Sequence, residues 1–191
     1  MSKLHLLKSF IKSPAHTGSI WPSSEYLADE ITSSIGIESA KYISELGPGT
    51  GALTEYILKK KKRDAVFFAV ELNEDLHNAI KFKFPQIRLY NDNASELCSI
   101  IKKENISHLD LVISGLPWAS FPANVQQNIM GAVYSSLREG GIFTTFAYIQ
   151  GMLFPSAIRY SKLLKKQFSR VETSHTIWKN IPPAFVYRCW K

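Results

Sequence analysis

Tyr42-Ile43-Ser44-Glu45-Leu46-Gly47-Pro48-Gly49-Thr50-Gly51-Ala52-Leu53-Thr54-Glu55 is the stretch from which the rest of the chain can be read. It opens as a β run, passes through glycines at alternate positions, and continues with Leu53, Tyr56 and Ile57 at helical spacing. A strand that turns this tightly into a helix aims free N–H groups and the positive end of the helix dipole at whatever lies above the turn. Glycine is required where a side chain would block that approach or forbid the backbone angles. The pattern predicts a nucleotide-like cofactor with an anionic group at the helix end. Gly47-x-Gly49-x-x-Ala52 also fits the dinucleotide fingerprint. Glu45, two residues before the first glycine, favours a ligand bearing an ammonium over a pyrophosphate, which a carboxylate would repel.

From Lys41 onward strands and helices alternate, which argues for a mostly parallel sheet with helices on both faces. Val66 to Glu71 reads as the second strand. Glu71 follows the glycines by about twenty residues, the spacing of a carboxylate that grips two ribose hydroxyls. Leu76, Ala79 and Ile80 belong to the next helix, and Ile87 to Tyr90 is the third strand. It ends at Asn91-Asp92-Asn93-Ala94, where an acceptor can take a hydrogen bond from an adenine amine. Asp92 fits equally as the cap of a helix starting near Ser95. His108 to Ile113 is the fourth strand, running into Ser114-Gly115-Leu116-Pro117-Trp118. That strand sits beside the first in a doubly wound sheet, so its carboxyl end faces the ligand crevice.

Asn124 to Leu137 carries Val125, Ile129, Ala132, Val133 and Leu137 at core spacing, and Glu139-Gly140-Gly141 stops that helix. Ile142 to Tyr148 is the fifth strand and Pro155 to Phe168 a helix. Arg170 to Trp178 and Ala184 to Trp190 read as two strands joined through Asn180-Ile181-Pro182-Pro183. At the other end, residues 3–12 are amphipathic, with Leu4, Leu7 and Ile11 on one stripe and Lys3, Lys8 and Lys12 elsewhere on the wheel. The pattern suits a helix lying in a membrane interface and equally one folded onto the core. A hydroxyl-rich loop from Thr17 to Ser24 then leads into a helix from about Glu25 to Ile35. The expected organisation is one domain over 1–191, with 1–37 a helical extension and 38–191 the catalytic core.

With 191 residues, 45% hydrophobic and 20% charged, the chain has the profile of a soluble globular domain large enough for a real core. Cys98 and Cys189 make no disulfide framework, which suits reduced thiols in the cytoplasm. No apolar run approaches a membrane span, and Lys8 and Lys12 interrupt what would otherwise resemble a signal peptide. The net charge of +7 is concentrated at predicted helix ends: Lys59-Lys60-Lys61-Lys62-Arg63, Lys81 and Lys83, Lys102 and Lys103, Arg138, Lys165-Lys166. Cations there offset the dipole and lie on the edge opposite the ligand crevice. A solvated structural face is expected, not a nucleic-acid groove.

Glu45-x-Gly47-x-Gly49-x-Gly51 resembles motif I of the class I S-adenosylmethionine (SAM) methyltransferases, whose cofactor carries both a carboxylate and an ammonium. The resemblance implies a Rossmann-like fold with a seven-stranded, mostly parallel sheet whose last strand is antiparallel. With Val70-Glu71-Leu72, Asp92 and Ser114-Gly115-Leu116-Pro117-Trp118, the chain resembles two related groups. One is the rRNA adenine dimethyltransferases, with Asn-Leu-Pro-Tyr after strand four. The other is the bacterial phospholipid N-methyltransferases, which act on phosphatidylethanolamine. The second likeness covers nearly the whole chain, from Phe10-Ile11-Lys12-Ser13-Pro14, Thr17-Gly18-Ser19-Ile20 and Pro22-Ser23-Ser24 to Tyr148 and Trp178-Lys179-Asn180-Ile181-Pro182-Pro183-Ala184. Ser114 replaces the RNA enzymes' asparagine, and no residues follow Lys191 for their extra helical domain. Against the phospholipid group, Asn91-Asp92-Asn93 replaces the usual Gly-Asp-Ala, and Trp118 stands where an aliphatic residue is common.

The resemblance implies SAM as cofactor, S-adenosylhomocysteine as product, and no metal. It assigns cofactor binding to Thr17, Gly18, Glu45, Gly47, Gly49, Thr50, Gly51, Glu71, Leu72, Asp92, Asn93 and Ser114. A methyl group would pass from a sulfonium to an amine in one in-line displacement, for which placement supplies much of the rate. A free alkylamine titrates near ~10, so the site must take its proton or disfavour the ammonium. Tyr148 is the candidate for orienting the amine, and the Ser114 and Gly115 carbonyls for accepting from it. The faces of Trp118, Phe121 and Trp178 could hold a methylated ammonium by cation–π attraction, each with core packing as its ordinary alternative. Asn180 completes the expected acceptor set. The leading expectation is a monomeric aminophospholipid N-methyltransferase, docked on the anionic inner face of the cytoplasmic membrane by residues 3–12. An RNA adenine methyltransferase is second, and a SAM-binding module without catalysis third.

Overall fold

The computed structural model describes residues 24–191. The amphipathic pattern over 3–12 and the cofactor candidates Thr17 and Gly18 lie outside the described residues. Ser24 caps α1 (Glu25–Thr32), its hydroxyl accepting from Leu27 N at 3.3 Å. This helix stops three residues short of the predicted Ile35. The Thr32 and Ser33 hydroxyls donate back to the carbonyls of Ala28 and Asp29, and Arg188 donates to those of Glu30 and Ser33. The orphan carbonyls of the last turn are thereby satisfied without another turn of helix.

The elements then alternate: β1 (Tyr42–Leu46), α2 (Ala52–Lys60), β2 (Val66–Val70), α3 (Glu74–Lys83), β3 (Arg88–Tyr90), α4 (Leu97–Lys103), β4 (Leu109–Ser114), α5 (Ala123–Ser136), β5 (Leu137–Tyr148), α6 (Pro155–Gln167), β6 (Arg170–Thr173) and β7 (Ala184–Trp190). They form one sheet in the order β3-β2-β1-β4-β5-β7-β6, with β7 antiparallel to both neighbours and the other pairings parallel. The expected seven-stranded, mostly parallel sheet with an antiparallel last strand is the sheet observed. Val66-Phe67-Phe68-Ala69-Val70 shows why: a nearly continuous apolar run suits a strand covered on both faces. Alternate side chains divide between two cores. Ile43, Phe67, Ala69 and Ile113 pack with residues of α1, α2 and α3, whereas Leu46, Phe68 and Val112 pack with residues of α4, α5 and α6.

Two further predicted boundaries move. Glu139-Gly140-Gly141 does not separate helix from strand, because β5 already begins at Leu137. Leu109 pairs with Leu137 but Leu111 pairs with Ile142, so Arg138 to Gly141 bulge out, with Gly140 at φ +70°. Asp110 pins the bulge, accepting from Arg138 Nε at 2.6 Å and from the Lys41 and Tyr42 amides at 2.9 Å each. The strand expected over Arg170 to Trp178 ends at Thr173, and Ile177 returns only as a single bridge to Ala184. There the Ser174 hydroxyl takes the Val186 N–H at 3.0 Å, replacing a rung of the ladder.

Most of the basic helix ends are as expected, with Lys59 and Lys60, Lys81 and Lys83, Lys102 and Lys103, and Lys165 and Lys166 in last turns, but Arg138 lies in β5, where Asp110 holds it. Lys59 pairs with Glu55 at 2.8 Å and Lys60 with Asp29 at 2.6 Å.

Candidate active site

β1 lies between β2 and β4, so the chain winds away from it in both directions. A crevice opens at the carboxyl end of such a switch point, and the Gly47–Gly51 turn sits there. Gly51 is the N-cap of α2 and offers no side-chain cap, which leaves the first-turn N–H groups available to a ligand. Gly49 has φ +56°, and a Cβ built on it meets nothing within 4 Å. Its demand is therefore the backbone angle together with open space above the turn. Gly115 is held by the opposite constraint, since a Cβ there would lie 2.5 Å from the Gly47 carbonyl oxygen. The loop after β4 thus rests directly on the glycine turn.

Glu71, at the end of β2, is 5% exposed. Its Oε2 accepts from Gly49 N at 3.2 Å and its Oε1 from Asn73 N at 2.9 Å. Burial raises its pKa, and the backbone donors of Asn73, Gly49 and Leu72 oppose that. The carboxyl thus ties the first two loops together while keeping lone pairs for further donors. Asn91 reinforces the same corner, its amide donating to the Glu71 carbonyl at 2.9 Å and the Leu72 carbonyl at 3.2 Å.

Glu45 departs from its expected role as a charge in the mouth. It is wholly buried, accepts from the Thr54 hydroxyl at 2.7 Å, and leaves Oε1 without a partner. Desolvation pushes its pKa up to about 8; the Thr54 bond opposes this and the Glu71 charge adds to it. Burial thus favours the neutral form of the carboxyl. Thr54 was missed in the sequence, although its place on the first turn of α2 was readable.

Asp92 does not cap a helix. Its Oδ1 accepts from Asn93 N at 2.8 Å, and Asn93 is the cap, taking Ser95 N at 3.0 Å. Asp92 is left half-exposed beside the crevice, and Thr50 is exposed on the turn.

In the loop after β4 the polar groups are already engaged. Ser114 is fully buried; its hydroxyl accepts from Trp118 Nε1 at 3.1 Å and Leu116 N at 3.2 Å, and its carbonyl from the Thr145 hydroxyl at 3.0 Å. Trp118 is 3% exposed and stacks on Tyr160 at 4.7 Å, with Phe121 and Phe143 edge-on. The expectation of open ring faces at Trp118 and Phe121 is corrected: both belong to the core, and Phe121 is equally buried. Asn180 is 3% exposed; its oxygen takes Ser24 N and its amide donates to the Pro182 carbonyl, so it fastens two segments together. Tyr148 is half-buried at the end of β5, edge-on to Phe146 and paired in register with Ala184. Trp178 is 72% exposed. Among the described residues no three His, Cys, Asp or Glu side chains gather as a metal centre.

No protein-family model matches the chain. An ornithine lipid N-methyltransferase of Singulisphaera acidiphila is 27% identical over 186 residues, 96% of this chain and 93% of the relative. A ribosomal RNA small subunit methyltransferase A of Hydrogenobaculum is 27% identical over 124 residues, 62% of this chain but 46% of the relative. Among solved structures, a precorrin-6y C5,15-methyltransferase from Geobacter metallireducens superposes with a TM-score of 0.70 at 15% identity, covering 92% of this chain and 93% of the other. An O-methyltransferase from Bacillus cereus, solved with S-adenosylhomocysteine (SAH), gives 0.67 at 13% identity over 99% and 89%. The chain has the fold of the class I SAM-dependent methyltransferases. These relatives and these two structural neighbours are methyltransferases, so the expectations of a methyltransferase and of SAM as its cofactor stand. The site suits that cofactor: an uncapped helix start, open space over Gly49, and Glu71 as a nearly buried acceptor.

Proposed function

We propose that this chain methylates the head-group amine of an aminolipid, with phosphatidylethanolamine and an ornithine-type lipid as the two acceptors to try first. The single observation that carries this reading is the near full-length similarity to an ornithine lipid N-methyltransferase. SAM, when bound, supplies an electrophilic methyl group. Gly49, Thr50 and the first N–H groups of α2 hold its anionic end, Glu71 its ribose, and Asp92 with Asn93 its adenine. Tyr148 orients the acceptor amine, and the Gly115 carbonyl, on a half-exposed residue, accepts a hydrogen bond from it. The Ser114 carbonyl, already taken by Thr145, is the weaker candidate. Trp178, with its exposed ring, is the aromatic left to attract a methylated ammonium. Residues 1–191 act as one domain, working as a monomer, and the basic amphipathic stretch 3–12 brings it to anionic lipid.

A second reading, methylation of an RNA adenine, draws on the similarity to the rRNA enzymes. Two features disfavour it: Ser114 stands where that group has asparagine, and the match to the Hydrogenobaculum enzyme covers 62% of this chain against 96% for the lipid enzyme. Expression in a bacterium that makes no methylated lipids, followed by lipid mass spectrometry, tests the proposal. Aminolipids heavier by one or more methylene units are expected; an unchanged lipid profile with intact protein present would count against it.

A further inference from the structure

Apart from Phe82 on α3, the large apolar side chains left exposed among the described residues are not scattered. Leu153 is 87% exposed, Phe154 59% and Ile158 46%, all between the end of β5 and the second turn of α6. Trp178 and Ile181, 72% and 73% exposed, sit in the segment entering β7. The two segments are neighbours, because Ala184 pairs with Tyr148 and Ile149 N donates to the Pro183 carbonyl at 3.0 Å. Both therefore stand at the sheet edge that holds the glycine turn and Tyr148.

The charges carried by these two segments are mostly positive; an acid from another element, the exposed Glu25, stands close by, between Ser24 and Tyr26, which touch Asn180 and Lys179. Arg159 follows Ile158, Lys162 lies one turn further along α6, and Lys179, whose ammonium sits 4.5 Å from the Tyr26 ring centre, adjoins Trp178. Between Gly140 and Lys191 the sole acidic side chain is Glu172, which is bound to Arg170. Protruding apolar groups flanked by Arg159, Lys162 and Lys179 complement an anionic bilayer: the apolar groups enter the acyl boundary and the cations meet the phosphates.

We infer that Leu153, Phe154 and Ile158, together with Trp178 and Ile181, form a docking rim on the folded core that seats the active-site edge on an anionic membrane. This rests on the aminolipid reading and adds where the surface is. A two-chain lipid need not leave the bilayer if the mouth itself lies on it, since each methylene drawn into water costs about 0.8 kcal/mol.

The test is flotation of the full chain with vesicles of phosphatidylglycerol and phosphatidylethanolamine, comparing wild type with Leu153→Ser/Phe154→Ser. Phe154 occupies the N-cap of α6, where serine is favoured, so the fold should tolerate the change. At least about a tenfold loss of partition is expected for two removed apolar anchors, with turnover of vesicle-borne lipid falling alongside and turnover of the same lipid in detergent micelles kept. Wild-type partition should also fall with added salt. A variant that floats like wild type overturns the rim and leaves the acceptor assignment standing. A variant with lowered melting temperature and lost micellar turnover shows that the rim is packing surface, for instance for residues 1–23, and equally overturns it. Partition lost in the variant, with no turnover of any aminolipid by wild type, would uphold the rim and sink the acceptor assignment.

Discussion

Thr54 donates its hydroxyl hydrogen to Glu45 Oε2 at 2.7 Å, in a pocket from which water is excluded. This one bond partners a carboxyl whose other oxygen has no donor. Replacing Thr54 with valine leaves both oxygens bare, at a cost of about 1–3 kcal/mol for a buried polar group without a partner. Chemical denaturation of Thr54→Val is expected to show that loss, and wild-type stability would mean that the bond contributes little.

The same carboxyl gives stability a pH dependence. Its folded pKa, pushed to about 8 from an ordinary 4.5, means that the folded state holds the proton more tightly than the unfolded state. Such a group contributes stability at low pH that is lost as pH rises between those two values. Glu71, also shifted upward, acts in the same direction. Denaturation of the ligand-free protein from pH 5 to 8 should show falling stability, and Glu45→Gln should flatten the slope. An equally steep slope in that variant would reject the assignment.

Gly49 and Gly115 should fail differently. Gly49→Val is tolerated by the packing, apart from a left-handed backbone cost of about 1–2 kcal/mol, but fills the space above the turn. It should melt within a few degrees of wild type and bind no SAM by calorimetry. Gly115→Ala drives a methyl into the Gly47 carbonyl and should lower the melting temperature as well. Identical behaviour of the two variants would refute the distinction.

Glu71→Ala is expected to weaken SAM affinity by roughly tenfold or more, because it removes a charged acceptor and frees the Gly49 amide. Tyr148→Phe should lower turnover with SAM affinity nearly intact, since its hydroxyl is assigned to the acceptor. Calorimetry paired with turnover assays separates the two roles.

The turn at Gly47–Gly51, the apolar run of β2 and the acid at Glu71 were legible because period and residue type carry them directly. Glu45 was legible as an acid but not as a buried one, since a strand's last inward-facing residue looks the same in sequence whether it faces ligand or a neighbouring threonine. Trp118 was misread for a similar reason: an aromatic after a loop motif does not reveal that Tyr160, far along the chain, covers its face. Asn93 displaced Asp92 as cap because either can do so and the strand end fixes which is in register. The bulge at Arg138 to Gly141 depends on Asp110, a partner that no local pattern exposes.

Incubating the purified full chain with methyl-labelled SAM, phosphatidylethanolamine and ornithine lipid vesicles, and ribosomal RNA in one vessel tests the aminolipid claim most directly. Label is expected in the lipid extract and to disappear with Gly49→Val. Label in the RNA, with the lipid phase unlabelled, would contradict it.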